Sequence, residues 1–375
     1  MKKVVIAIDS FKGCLPSAEA GKAAAEGIRS VYPECEVICL PIADGGEGML
    51  DVLIMATNGQ EVPISAHDPL MRWRNTYYGI SENGETAFIE MASISGLPLV
   101  PPERRNPMLT TTYGTGEIIR DALERGCRNF IIGIGGSATN DAGLGMLQAL
   151  GFRFSDKEGK EVGTGRGEIL IKVAHIDSTF VHPALNSCRF TVACDVQNPF
   201  YGPEGAAYVF APQKGADREM VEALDAGLQN FAEVIRHTTG KDISHHPGAG
   251  AAGGMGGSLL AFLNAELKPG IQLMLEALDF SNKIKSADLI ITGEGKADRQ
   301  TLMGKVPSGI LAEARKQNIP VILLAGNIED SDELQQAGFE GVFSVSPPFI
   351  SLEEAMRPEV ACKNIQQTVE SICKK

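Results

Sequence analysis

The chain has 375 residues, more than one ordinary core organises, so two domains are expected. Hydrophobic residues make up 43% and charged residues 22%, a globular balance. A formal net charge of -13 argues against a nucleic-acid partner, which needs basic side chains on its phosphates, but leaves a nucleotide held by backbone N–H groups and a metal open.

The start, Met1-Lys2-Lys3 followed by the apolar run 4–8, is too short for a secretory signal. No apolar stretch approaches the roughly 20 residues of a membrane span, so no membrane association is expected. Eight scattered cysteines form no CxxC pair and no zinc pattern, which suits a reducing, cytoplasmic location.

Taken in chain order, the β-branched run 4–8 ends in Asp9-Ser10-Phe11-Lys12-Gly13 and precedes an Ala-rich helical pattern over 17–30. The run 37–42 ends in Asp44-Gly45-Gly46-Glu47-Gly48. Residues 77–91 alternate around Glu82-Asn83-Gly84-Glu85, a hairpin signal. The run 130–134 leads to Gly135-Gly136-Ser137 and a predicted helix through Leu150. Residues 153–167 are charged and Gly-rich, and 189–194 and 206–210 read as strands. The Gly-Ala run 248–257 reads as the return between domains, or as a flexible linker. Last come 289–291 before Thr292-Gly293-Glu294-Gly295, 321–324 before Ala325-Gly326-Asn327, and 342–345 before Ser346-Pro347-Pro348.

Near-continuous apolar strands alternating with helices predict a parallel sheet covered on both faces. The expected class is α/β: a Rossmann-like domain, discontinuous in sequence, formed by 1–60, 104–150 and 256–375. A second mixed α+β domain would comprise 61–103 and 151–255, with a cleft between the two.

Ligands of open parallel sheets bind beyond the carboxyl ends of the strands. The segment Gly133-Ile134-Gly135-Gly136-Ser137 best fits a phosphate cradle, because glycine admits a close anion and a following helix presents free N–H groups. A plain strand-to-helix turn needs the same small residues. No GxxxxGK[ST] loop, no well-spaced dinucleotide fingerprint and no protein-kinase signature occurs. Phosphoryl transfer needs cations, a carboxylate on the attacking hydroxyl and acidic ligands for Mg2+. Asp195, at the end of an apolar strand, suits the carboxylate, though a turn before Asn-Pro also accounts for it. Asp44 and Asp298 suit the metal, though as helix N-caps they need no function. Lys12 and Lys214 suit a carboxylate or phosphate. The six histidines form no cluster, and no serine has a GxSxG setting.

These motifs together resemble the bacterial glycerate kinases of the first type. The likeness rests on 9–13, 43–48, 88–92, 112–117, 133–143, 193–199, 212–215, 247–255 and 292–295, and runs in order along essentially the whole chain. It implies ATP-dependent phosphorylation of D-glycerate, giving 2-phosphoglycerate, in glyoxylate or sugar-diacid catabolism. Ile8, Cys14 and Ala142 depart from it, the last standing where glycine is common. The expected site has Asp195 and Lys12 as catalytic residues and Gly135, Gly136, Ser137, Gly293 and Gly295 on the nucleotide phosphates. Asp9, Ser10 and Lys214 would face the substrate, and Asp44 and Asp298 would bind Mg2+. Two other classes fit less well. An NAD-dependent hydroxy-acid oxidoreductase needs an acidic residue about 20 positions after its fingerprint. A hydroxy-acid sensor needs an output module, for which no segment is spare.

Overall fold

Strand β1 (Lys3–Ile8) runs through five consecutive residues, Val4 to Ile8, none more than 1% exposed. A strand apolar on both sides needs helices over both faces of its sheet. The computed structural model, which describes residues 1–43, 46 and 48–374, supplies them. The helix Ser17–Val31 returns the chain to β2 (Glu36–Cys39), parallel to β1. The chain then departs, so that two units form: Met1–Asp44 with Ile271–Lys375, and the continuous Gly45–Gly270.

The continuous unit opens its sheet with β3 (Gln60–His67), β4 (Trp73–Ile80), β5 (Thr86–Glu90) and β6 (Asn129–Gly133). A small antiparallel pair, β7 (Arg153–Ser155) and β8 (His175–Asp177), stands apart. With β9 (Arg189–Ala193) and β10 (Glu266–Lys268) the main sheet has the order β10-β9-β6-β5-β4-β3. The first four in that order are parallel; β4 and β3 are antiparallel, the former joined to β5 through the expected turn. Phe130 and Phe190, in register on β6 and β9, stack with ring centroids 4.6 Å apart at the heart of this core. The helix Arg218–Thr239 buries Val221, Leu224, Leu228, Phe231 and Ile235 along one side. Asp217 starts it by accepting the Met220 N–H, and Gly240 stops it at φ 75°.

In the discontinuous unit, β11 (Leu289–Ala297), β12 (Val321–Ile328) and β13 (Gly341–Ser344) complete a parallel sheet of order β13-β12-β11-β1-β2. The chain steps one way from β1 to β2 and the other way from β11 to β12, so the topological switch falls between β1 and β11. Right-handed crossovers then put the helices Ser17–Val31 and Val306–Arg315 on opposite faces. The helix Pro358–Cys373 packs on the first of these, Ile365 and Val369 joining Ala20, Ala24 and Ile28 in one core. Gly27 allows the approach: a Cβ there would stand 2.6 Å from the Gln366 carbonyl oxygen.

Four expectations are corrected. Residues 104–150 do not join β1, because β6 is hydrogen-bonded between β5 and β9; 45–60 and 256–270 also fall in the continuous unit, so the first unit is interrupted once. The run 206–210 is a helix, Ala206–Phe210, whose alanines are buried while Tyr208 and Val209 are exposed, a sidedness its aromatic and β-branched content masks. The run 248–257 is neither linker nor domain crossing. It is folded into the continuous unit, where a Cβ on Gly250, Gly253 or Gly256 would come within 2.4 Å of backbone oxygens. Residues 292–295 form no turn, since β11 continues to Ala297.

Candidate active site

A cavity of about 460 Å³ opens at the switch point, beyond the carboxyl ends of β1, β11, β12 and β13. Asp9, Ser10 and Lys12 reach it from β1, Glu294, Gly295 and Lys296 from β11, and Asn327 from β12. Asp9 is 8% exposed; its N–H donates to the Gly293 carbonyl at 2.9 Å and its Oδ1 accepts the Ser10 N–H at 2.6 Å. Both contacts fix the first residue after β1. Gly295 lies against the Phe11–Lys12 backbone, where a Cβ would make only ordinary contact, 3.6 Å from the Lys12 nitrogen.

Glu294 is 7% exposed and accepts from Thr301 Oγ1 at 2.6 Å and from Lys305 Nζ at 3.4 Å. Burial pushes its carboxyl up, and Thr301 and Lys305 pull the other way. Lys296 lies 2.9 Å from Glu329 and 3.5 Å from Asp298. The cavity is thus rimmed by two buried carboxylates and three lysines, a charge balance suited to a metal-accompanied polyanion.

The continuous unit places a second set at the carboxyl ends of β6 and β9. Gly135 and Gly136 are exposed after β6, Gly136 at φ 71°, and Ser137 is buried behind them. No helix begins there: the next one, Leu144–Ala149, starts seven residues after Ser137, its first turn occupied by Asp141. The expected helix N-terminus at this loop is therefore absent, which leaves the two exposed glycines themselves. Asp141 is wholly buried and accepts four hydrogen bonds, from Thr112 N–H and Oγ1 and from the Gly143 and Gly145 N–H groups. Burial nevertheless pushes its carboxyl up. Asp195, exposed after β9, accepts the Gly270 N–H on Oδ1 at 2.8 Å.

Residues 4–375 match the family model of the glycerate kinase family. The chain is 48% identical to the glycerate 2-kinase of Escherichia coli (strain K12) over 356 residues, 95% of this chain and 93% of that protein. The chain belongs to the glycerate kinase family. It is also 46% identical to the glycerate kinase of Bacillus subtilis (strain 168), over 99% of this chain and 96% of the other. The crystal structure of a Salmonella typhimurium LT2 protein assigned as glycerate kinase 2 agrees with a TM-score of 0.91 at 44% identity, covering 100% of this chain and 97% of that one.

In this glycerate kinase-family chain the expected site residues separate into groups. Asp9, Ser10, Lys12 and Gly295 meet in the cavity. Gly293 does not line it; it packs inside the sheet, where a Cβ would stand 2.5 Å from the Leu324 carbonyl oxygen. Lys214 does not face a substrate either. Only 2% exposed, it stands behind the glycine loop and donates to Ser137 Oγ and the Thr139 carbonyl, both at 2.7 Å. Burial pushes it down to about 7, against the pull of Asp141. Asp298 caps the turn Arg299–Leu302 through the Gln300 N–H, with Thr301 completing the capping box. Asp44 lies outside the described residues. Sequence reasoning missed Glu294, Lys305, Asn327 and Asn364, all on the cavity. Glu294 and Asn327 were legible within the Gly-containing ends of the predicted strands 289–291 and 321–324; Lys305 and Asn364 sit at or within later helical segments that carry no such signal.

Proposed function

We propose that this chain transfers the γ-phosphoryl group of ATP to a hydroxyl of D-glycerate, giving 2-phosphoglycerate. The observation that carries the reading is the switch-point cavity, with two buried carboxylates among three lysines, in a chain of the glycerate kinase family. Lys12, Lys296 and Lys305 offset the charge of the phosphate chain. Asp9 and Glu294 fit a Mg2+ that accompanies it, since such an ion takes one or two carboxylates and fills its shell with phosphate oxygens and water. Among the described residues no three His, Cys, Asp or Glu side chains gather as a metal cage, and a nucleotide-borne ion does not need one. Held there, such an ion would supply charge neutralisation to the phosphate chain during transfer.

Asp195 is the proposed base, aligning the glycerate hydroxyl and accepting its proton, with the Gly270 N–H fixing its rotamer. The exposed backbone at Gly135 and Gly136 forms a proposed anion cradle, shaped from behind by Ser137 and Lys214. A cytoplasmic location is proposed because all eight cysteines are free thiols. No helix among the described residues is long and apolar enough to cross a membrane.

The test is a coupled ADP-release assay on D-glycerate, L-glycerate, tartronate and glycerol, with phosphorus NMR of the product. D-glycerate is expected to be turned over far faster than glycerol, which lacks the carboxylate. Equal turnover of the two overturns the substrate assignment, and a phosphate on the 3-hydroxyl overturns the product.

A further inference from the structure

The cavity at the switch point is chemically two-sided. Glu294, bonded to Thr301 and paired with Lys305, faces the side that leads into the helix Val306–Arg315. The opposite side is closed by Phe11, Val345, Ala355, Met356 and Ala361. Into that apolar side projects Asn364, one turn beyond Ala361 on the helix Pro358–Cys373. Asn364 is 8% exposed; among the described residues its amide makes no hydrogen bond, and its polar atoms are not wholly buried but open onto the cavity.

An amide that opens onto a cavity and has no protein partner is available to pair with the polar edge of a ligand. Glycerate cannot be that ligand's whole account, because it offers almost no apolar surface to five hydrophobic walls. Of the two substrates only ATP has a flat apolar face with a polar edge. An amide presents one acceptor and one pair of donors side by side, which match the amino group and a neighbouring ring nitrogen of adenine. We propose that the apolar side of the cavity seats the adenine base, with Asn364 hydrogen-bonded to its edge. The triphosphate then runs toward Lys12, Lys296 and Lys305. This assignment rests on the ATP-dependent reading and adds which part of the nucleotide each side receives.

Binding of ADP and of inorganic tripolyphosphate, measured by calorimetry on the full chain, tests it. Asn364→Leu keeps the bulk and removes the hydrogen bonds, and Ala355→Phe narrows the cavity from a half-buried position. Each is expected to weaken ADP binding by about 10- to 100-fold and to leave tripolyphosphate binding, and the KM for D-glycerate, within about twofold of the parent. Because Ala355 sits outside the core, its variant keeps the test open if Asn364→Leu fails to fold. Unchanged ADP affinity in a folded variant overturns the base assignment, and so does an equal loss for ADP and tripolyphosphate. Either result leaves the kinase reading standing so long as the parent protein turns over D-glycerate with ATP; absence of that turnover fails the kinase reading instead.

Discussion

Lys214 shows how a single residue is misplaced by its sequence context. Beside a glycine and after a proline it looks like a ligand-facing cation, but its ammonium is spent on Ser137 and Thr139 inside the fold. Its downward displacement to about 7, against about 10.4 in an unfolded chain, has a consequence for stability. Between those values the unfolded state binds more protons than the folded state, so stability rises with pH from about 7 to about 10 and the contribution is flat below 7. Lys214→Met should remove that rise, which urea midpoints of parent and variant at pH 6, 8 and 9.5 will show; parallel midpoints contradict it. Asp195 remains a residue of mechanism, and Asp195→Asn is expected to lower kcat by about 10²–10⁴ with little change in glycerate KM. Near-normal kcat in a folded variant returns Asp195 to a turn-and-cap role. Ala142, flagged in the sequence as a departure from glycine, does adopt a left-handed φ of 53°, so that one letter carried real backbone information.

At the level of elements, apolar runs located all five strands of the discontinuous unit but not their ends. β11 extends six residues past its apolar run because Glu294 and Lys296 pair onward with Ala325 and Asn327 on β12, a tertiary effect that local pattern cannot carry. The same limit explains the loop after β6: 137–143 is held by buried side chains such as Asp141, not by helical hydrogen bonds. Helix contacts were likewise invisible, since the segments that meet lie at opposite ends of the sequence. Gly27→Ala isolates one of them. Helix propensity alone gains about 1 kcal/mol. The added methyl, however, would lie 2.6 Å from the Gln366 carbonyl oxygen and 2.9 Å from Val369 Cβ. Overpacking of that kind costs about 1–3 kcal/mol, and backbone cannot swing aside as a flexible side chain does. A lower urea midpoint is therefore expected, and a raised one would mean that the two helices separate freely.

At the level of the whole molecule, the two-unit organisation and the discontinuity of the first unit were legible, and the number of interruptions was not. Strand periodicity says that a segment is a buried strand; it does not say which sheet receives it. β6 reads like β1 in composition and differs only in its neighbours, β5 and β9. The continuous unit has its own six-stranded sheet and its own core. Expressed alone, residues 45–270 are expected to unfold in one cooperative transition by near-UV circular dichroism, whereas 104–150 with 1–60 and 256–375 should not. A non-cooperative melt of 45–270 would contradict the division.

The placement of β1 also sets a timetable for biosynthesis. β1 leaves the ribosome well before its neighbour β11, which follows only after the entire continuous unit has been made. At about 5–20 residues per second that delay is on the order of tens of seconds. During it a strand of five fully apolar residues has only β2 to pair with, and one of its edges stays open to any other nascent chain. The continuous unit can meanwhile fold to completion, so β1, made before it, is locked in after it. The switch point, and with it the cavity that Asp9 and Glu294 share, therefore comes into being only when the C-terminal strands emerge.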